Sequence, residues 1–148
     1  MNVRVQKTQA RFKRIRVPKG PDIGAGEFFL LVDITAPKET VYIPLSIASG
    51  KKPTGFVYQI EGTAEGTIVT TDISCKGAGV TQVTLGTIVY SKIPAGKTAT
   101  FRILVEMRGR VGKAYGIIIS RIHYKQSPSD ARYQKFPADI HSSTLKFN

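Results

Sequence analysis

Catalysis or metal binding by this chain would have to draw on two histidines, one cysteine and ten carboxylates. No His or Cys pair has the spacing of metal ligands. Glu61 and Glu65 are the carboxylates nearest to a glycosidase arrangement, which needs two carboxyl groups roughly 5 to 9 Å apart. They flank a Gly-Thr turn, and the expectation is that both are solvated turn residues. Gly96-Lys97-Thr98 has the ending of a phosphate-binding loop. That motif needs an earlier glycine where Ser91 stands, and a following helix where this chain has an alternating strand pattern. Gly77-Ala78-Gly79 lacks the third glycine and the helix of a dinucleotide fingerprint. No Gly-x-Ser-x-Gly context motivates a Ser-His-Asp triad. His123 sits in an alternating stretch and reads as structural. Cys75 is alone, so no intrachain disulfide forms, and it reads as a small buried residue at a strand end. The sequence therefore predicts no enzyme, with no catalytic residues, no cofactor and no metal.

The charge carries more information. Lys and Arg number 22 against 10 Asp and Glu, a formal net charge of +12. Residues 1–19 hold Arg4, Lys7, Arg11, Lys13, Arg14, Arg16 and Lys19 with no acid. A second cluster begins at Arg108, Arg110 and Lys113 and continues through Arg121, Lys125, Arg132 and Lys135, against Asp130 alone. These ten residues, Arg4 to Lys19 and Arg108 to Lys113, are the candidate contact residues for an acidic polymer, nucleic acid or an acidic protein. A basic arm could neutralise phosphates. Val3, Val5, Phe12, Ile15 and Val17 instead interrupt the charges at strand spacing, which favours a strand with a basic outer face.

The elements that must position these residues are short and extended. Runs rich in Val, Ile, Thr, Phe and Tyr are separated by Gly and Pro clusters, which supply positive φ or preset φ for turns. Ala99, Phe101, Ile103, Val105 and Met107 alternate with Thr100, Arg102 and Glu106, and Leu104 is the exception; this is a half-buried strand. Val41, Ile43, Leu45 and Ile47 alternate similarly, with Pro44 marking an edge or a bulge. Phe56, Tyr58 and Ile60 give a third strand. Residues 28–34 and 117–119 are apolar on both faces, as in central strands or a contact surface. Further strands are expected near 2–7, 10–17, 67–74 and 80–90, and no window has trustworthy helical periodicity. Phe12, Phe28, Phe29, Phe56 and Phe101 mostly fall on expected core faces. With 41% hydrophobic residues and a length at which a fold buries roughly 70% of its unfolded surface, one core suffices. The expectation is one domain over 1–148, with a basic segment at 1–19 and a weakly patterned tail at 127–148 that either wraps the domain or stays loose. Its class is all-β, a sandwich of about seven to nine short, mainly antiparallel strands.

Three stretches together carry a resemblance. They are Phe29-Leu30-Leu31-Val32-Asp33-Ile34-Thr35-Ala36 with Val41-Tyr42-Ile43-Pro44; Tyr58-Gln59-Ile60-Glu61-Gly62; and Ile93-Pro94-Ala95-Gly96-Lys97-Thr98-Ala99-Thr100-Phe101 leading to Gly116 and Ile122-His123-Tyr124. The arrangement resembles the immunoglobulin-like modules in exported surface proteins of small-genome bacteria, over roughly residues 25–147. It departs from them in its basic start and in lacking a wall-binding repeat. The resemblance implies an immunoglobulin-like sandwich, a structural or display role, and no functional residues to transfer.

The expected function is a non-catalytic structural or attachment module. It would act through protein–protein or surface-polymer contacts, at a cell surface, outside the cell or in an assembly. A virion shell or decoration subunit and a nucleic-acid-binding protein are the alternatives. No stretch approaches the ~20 apolar residues of a membrane helix, and residues 1–20 lack the apolar run of a signal peptide. Protein partners or self-assembly are expected, with no membrane span.

Overall fold

Period-two patterning becomes strands throughout the computed structural model, which describes residues 1–12, 23–49, 55–62 and 67–147, none of them helical. In chain order the strands are β1 (Asn2–Phe12), β2 (Ile23–Thr35), β3 (Val41–Pro44), β4 (Ile47–Ala48), β5 (Phe56–Gly62), β6 (Thr67–Lys76), β7 (Thr81–Leu85), β8 (Ile88–Ile93), β9 (Thr98–Arg110), β10 (Ala114–Tyr124), β11 (Gln134–His141) and β12 (Leu145–Lys146). One layer is the sheet β1-β2-β9-β6. The other combines β11-β10-β5-β4, with β12 also on β10, and a smaller sheet β3-β8-β7. Tyr42 joins these last two, exchanging backbone hydrogen bonds with Lys125 just beyond β10 (2.7 and 2.9 Å). All pairings are antiparallel except β4 with β5.

The core lies between the layers. Ala99, Phe101, Ile103, Val105 and Met107 of β9 are fully buried, as their alternation requires. They face Phe56 of β5, whose ring centroid is 5.0 Å from that of Phe101, and Ile117, Ile119 and Ile122 of β10. Phe28, Leu30, Val32 and Ile34 extend the same face across β2. Each such side chain contributes roughly 1.5–3 kcal/mol by leaving water. The doubly apolar stretches sit where expected: β2 is central between β1 and β9, and β10 between β11 and β5.

Several expectations are corrected. Residues 2–12 form one strand rather than two, because a bulge between Val5 and Lys7 absorbs the break in alternation; the stretch expected at 10–17 otherwise lies outside the described residues. Residues 80–90 hold two strands, because Gly86 (φ 63°) and Thr87 make a two-residue turn between β7 and β8. The strand count exceeds nine. Glu61 is a strand residue of β5 rather than a turn residue, and Glu65 lies outside the described residues. Phe29 faces outward rather than into the core, half-buried. Cys75 is half-buried near the end of β6, where burial pushes its thiol pKa up. The tail wraps: β11 and β12 both pair with β10, and Phe147 is 1% exposed.

Two close approaches set the geometry. Gly55 lies where the chain passes from β3 and β4 into β5; its N–H donates to Ser46 Oγ (3.1 Å) and its carbonyl accepts from His123 N–H (2.7 Å). At one end of the sandwich Phe147 packs over Gly26 of β2 and Gly109 of β9, against Tyr115 (centroids 4.7 Å apart) and Phe28 (6.5 Å).

Candidate contact surface

Directly opposed residues in a sheet share a face, so the register of β1-β2-β9-β6 fixes what its outer side presents. Its rungs run Arg4–Asp33–Thr100–Lys76, Lys7–Leu31–Arg102–Ser74, Gln9–Phe29–Leu104–Asp72 and Arg11–Glu27–Glu106–Thr70. Phe29, Leu31 and Leu104 are half-buried at the middle, with cations around them. A groove of about 420 Å³ runs between Lys7, Arg11 and Arg102, floored by Phe29 and Leu104. The Arg102 guanidinium lies over the Phe29 ring, 5.2 Å from its centroid, a geometry in which the ring face attracts the cation.

Cations and carboxylates are interleaved on this face. Arg11 donates from Nε (3.1 Å) and Nη2 (2.5 Å) to Glu27 Oε1, and the Glu27 side chain is only 10% exposed. Gln6 Nε2 and Thr100 Oγ1 each donate to Asp33 at 2.6 Å. These two bonds, with a smaller contribution from the Arg4 charge, hold the Asp33 carboxyl below its ordinary value. A carboxyl lowered in this way contributes stability above its unfolded pKa, and that stability is lost as pH falls through the folded value. The rung Lys7–Leu31–Arg102–Ser74 is different: it carries two cations and no acid.

Of the sequence candidates, Arg4, Lys7 and Arg11 come together on β1, all exposed. Arg108 lies on the same outer face toward the far end of β9, half-buried, with its Nε enclosed and without a hydrogen-bond partner. Arg110 ends β9 opposite Ile23, and Lys113 sits in the turn to β10. Lys13, Arg14, Arg16 and Lys19 lie outside the described residues. Sequence reasoning missed Arg102, Lys76 and the apolar centre of Phe29, Leu31 and Leu104. The signal was present in Leu104 breaking the alternation of its strand, and in the double-sided apolarity of residues 28–34.

A second cluster sits on the outer face of the other layer. His141 Nδ1 lies 3.2 Å from Glu61 Oε2, and its Nε2 lies 2.9 Å from Asp139 Oδ1. Glu61 reaches across Gly116 of β10, where an added Cβ would come within 3.3 Å of Oε2. Hydrogen bonds first to Glu61 and then to Asp139 raise the imidazole pKa above its ordinary 6.5. Raised in the folded state, it contributes stability that is full below the unfolded pKa and lost as pH rises through the folded value. The expected result, read by NMR titration, is a His141 pKa above 6.5 that falls back toward 6.5 in Glu61→Gln. A wild-type value at or below 6.5 would contradict this geometry.

Against protein-family models, curated proteins and solved structures, the chain has no match.

Proposed function

We propose that this domain is a non-catalytic, immunoglobulin-like contact module, displayed on a cell surface or built into an assembly, with the outer face of β1-β2-β9-β6 as its contact surface. The fold reading is supported by strand order. Relabelling β1, β2, β5, β6, β9, β10 and β11 as A to G turns the sheets into A-B-E-D and G-F-C, the constant-type immunoglobulin order. On that reading β3, β4, β7 and β8 are additions between B and C and between D and E.

The rung Lys7–Leu31–Arg102–Ser74 carries the functional reading. It sets two cations, with no acid on their own rung, beside a half-buried apolar centre, the make-up of an interface with an apolar core and a charged rim. An acidic partner with some apolar surface fits it. Nucleic acid fits less well, because its backbone would set phosphates at fixed spacing against Glu27, Asp33, Asp72 and Glu106 as well as the cations. A flexible acidic chain can instead seat carboxylates at Lys7 and Arg102 and turn away from those acids.

The test is binding to polyglutamate and to duplex DNA at low and physiological salt, for wild type and for a Lys7→Glu/Arg102→Glu double variant. We expect polyglutamate to bind the wild type and to lose at least about tenfold in affinity on double reversal, in keeping with close charge pairs at interfaces. Failure of the wild type to bind, or binding indifferent to the reversal, would overturn this surface. Tight DNA binding with a steep salt slope would put the nucleic-acid reading first.

A further inference from the structure

Exposed sheet edges invite pairing with other chains, and natural domains blunt them with charges, prolines, bulges or very short strands. Among the described residues, the edges of this fold are treated unequally. β1 carries Arg4, Lys7 and Arg11 and a bulge. β6 has a bulge between Ile68 and Thr70, with Asp72 and Lys76. β11 has Pro137, a register break and Asp139 at φ 46°. β4 is two residues long. β7, Thr81–Leu85, carries none of these devices. Between Lys76 and Lys92 no Lys, Arg, Asp, Glu or His occurs, in a chain of net charge +12. The hairpin that β7 forms with β8 also exposes Leu85 (51%), Ile88 (40%) and Val89 (36%).

We infer that β7 is a self-association edge, pairing antiparallel with β7 of a second copy about a twofold axis at Val83. The two-residue turn makes Leu85 and Ile88 the hydrogen-bonded pair that closes the hairpin. Alternation then turns the backbone groups of Val83 toward β8 and those of Gln82 and Thr84 outward. In the antiparallel pair, Gln82 exchanges both backbone bonds with Thr84 of the second copy, and the reverse, so the edge complements itself. β3-β8-β7 continues into the same three strands of its mate. Val83 and Leu85 share a face, so both copies' residues line up as one apolar strip beside Ile88. A second copy is the occupant that fits the edge: about the twofold each Gln82 meets a Thr84, and residues 77–91 hold no charge to set against its own copy, unlike the rest of a chain of net charge +12.

This inference deepens the contact reading by naming one partner, and it uses a different sheet from the outer face of β1-β2-β9-β6. The test is sedimentation of the full chain over a wide concentration range at physiological salt, for wild type, Gln82→Lys/Thr84→Lys, Gln82→Glu/Thr84→Glu and an equimolar mixture of the two variants. We expect the wild-type mass to double as concentration rises. Each variant should stay at the monomer mass, because like charges then oppose across the axis. The mixture should regain the doubled mass, because each introduced lysine then faces an introduced glutamate across the axis. Both positions are exposed with outward backbone groups, and circular dichroism should show both variants folded. A wild-type mass that stays monomeric up to about 1 mM (roughly the weak limit of useful affinity), or a dimer that survives in either variant alone, overturns the proposal. Lys7→Glu/Arg102→Glu should dimerise normally, so loss of polymer binding with dimerisation intact, or the reverse, shows which of the two readings fails.

Discussion

Phe147→Ala is expected to lower the unfolding free energy by about 3–5 kcal/mol, the usual cost of deleting a buried aromatic ring. The ring is 1% exposed and touches Phe28 and Tyr115. The glycines beneath it show how closely it is held: a Cβ on Gly26 would lie 2.8 Å from its Cε1, and one on Gly109 would lie 2.9 Å from its Cε2 and overlap the Tyr115 ring. The backbone is fixed as well, Phe147 N–H donating to the Lys113 carbonyl (2.9 Å) and its own carbonyl accepting from Gly112 N–H (2.8 Å). These bonds leave the truncated site little room to collapse, which places the cost at the upper end of the range. Urea unfolding checks the result, with a lower midpoint and an unchanged slope. A loss under about 1 kcal/mol, the scale of an ordinary substitution, would mean that the ring does not close the core.

Gly55→Ala is expected to cost about 3 kcal/mol, the upper end of the usual cost of forcing extra atoms into a packed site, for a different reason. Here an added methyl would overlap the Pro44 carbonyl oxygen and lie 2.9 Å from its carbon. Those are backbone atoms, which cannot rotate away as a side-chain tip can. Shifting them strains the Gly55 N–H bond to Ser46 Oγ, the Phe56 N–H bond to the Ser46 carbonyl (2.9 Å) and the Leu45 N–H bond to the Val89 carbonyl (2.8 Å). The two parts of the second layer are tied together at this point, so the substitution loosens β3-β8-β7 from β5 and β10. Thermal unfolding checks it, with amide exchange expected to rise first at Leu45 and Phe56. Wild-type stability in this variant would show that the crossing is wider than described.

The strand faces were legible because burial imposes alternation directly on residue type. Ala99 to Met107 could be assigned inward or outward one residue at a time, and Leu104 announced the apolar patch outside. Pro44, unable to donate to a ladder, marked β3 as an end strand of β3-β8-β7. The alternation expected to run on to Ile47 instead stops at Pro44, and Ile47 begins β4 in another sheet. What sequence could not give was pairing. Phe29 looks like a core residue until the register with Leu104 and Gln9 puts it on the outer face. Glu61 and His141 stand far apart in the chain, and only the shared neighbour β10, with Gly116 bare between them, brings them together. Arg102 lay outside both basic clusters, because charge clustering along a chain does not report clustering across a sheet. The tail after Ser127 read as weakly patterned because β12 is two residues long and its anchor is one ring.

The strand order also sets local pairings against distant ones during folding. β2 finds its central neighbour only when β9 arrives, and the residues that then meet, such as Asp33 and Thr100, are 67 apart in the chain. β7 and β8 meet across two residues. A local hairpin closes in roughly 1–10 μs, whereas all-β domains dominated by distant pairings fold in about milliseconds to seconds. During that interval the hairpin, marginally stable on its own in water, forms and opens repeatedly, and each time it forms the edge of β7 proposed above is exposed before the core exists to anchor it. With β7 pairing as proposed, folding and association compete for the same chain, and protein concentration during synthesis or refolding decides how many molecules meet another copy first.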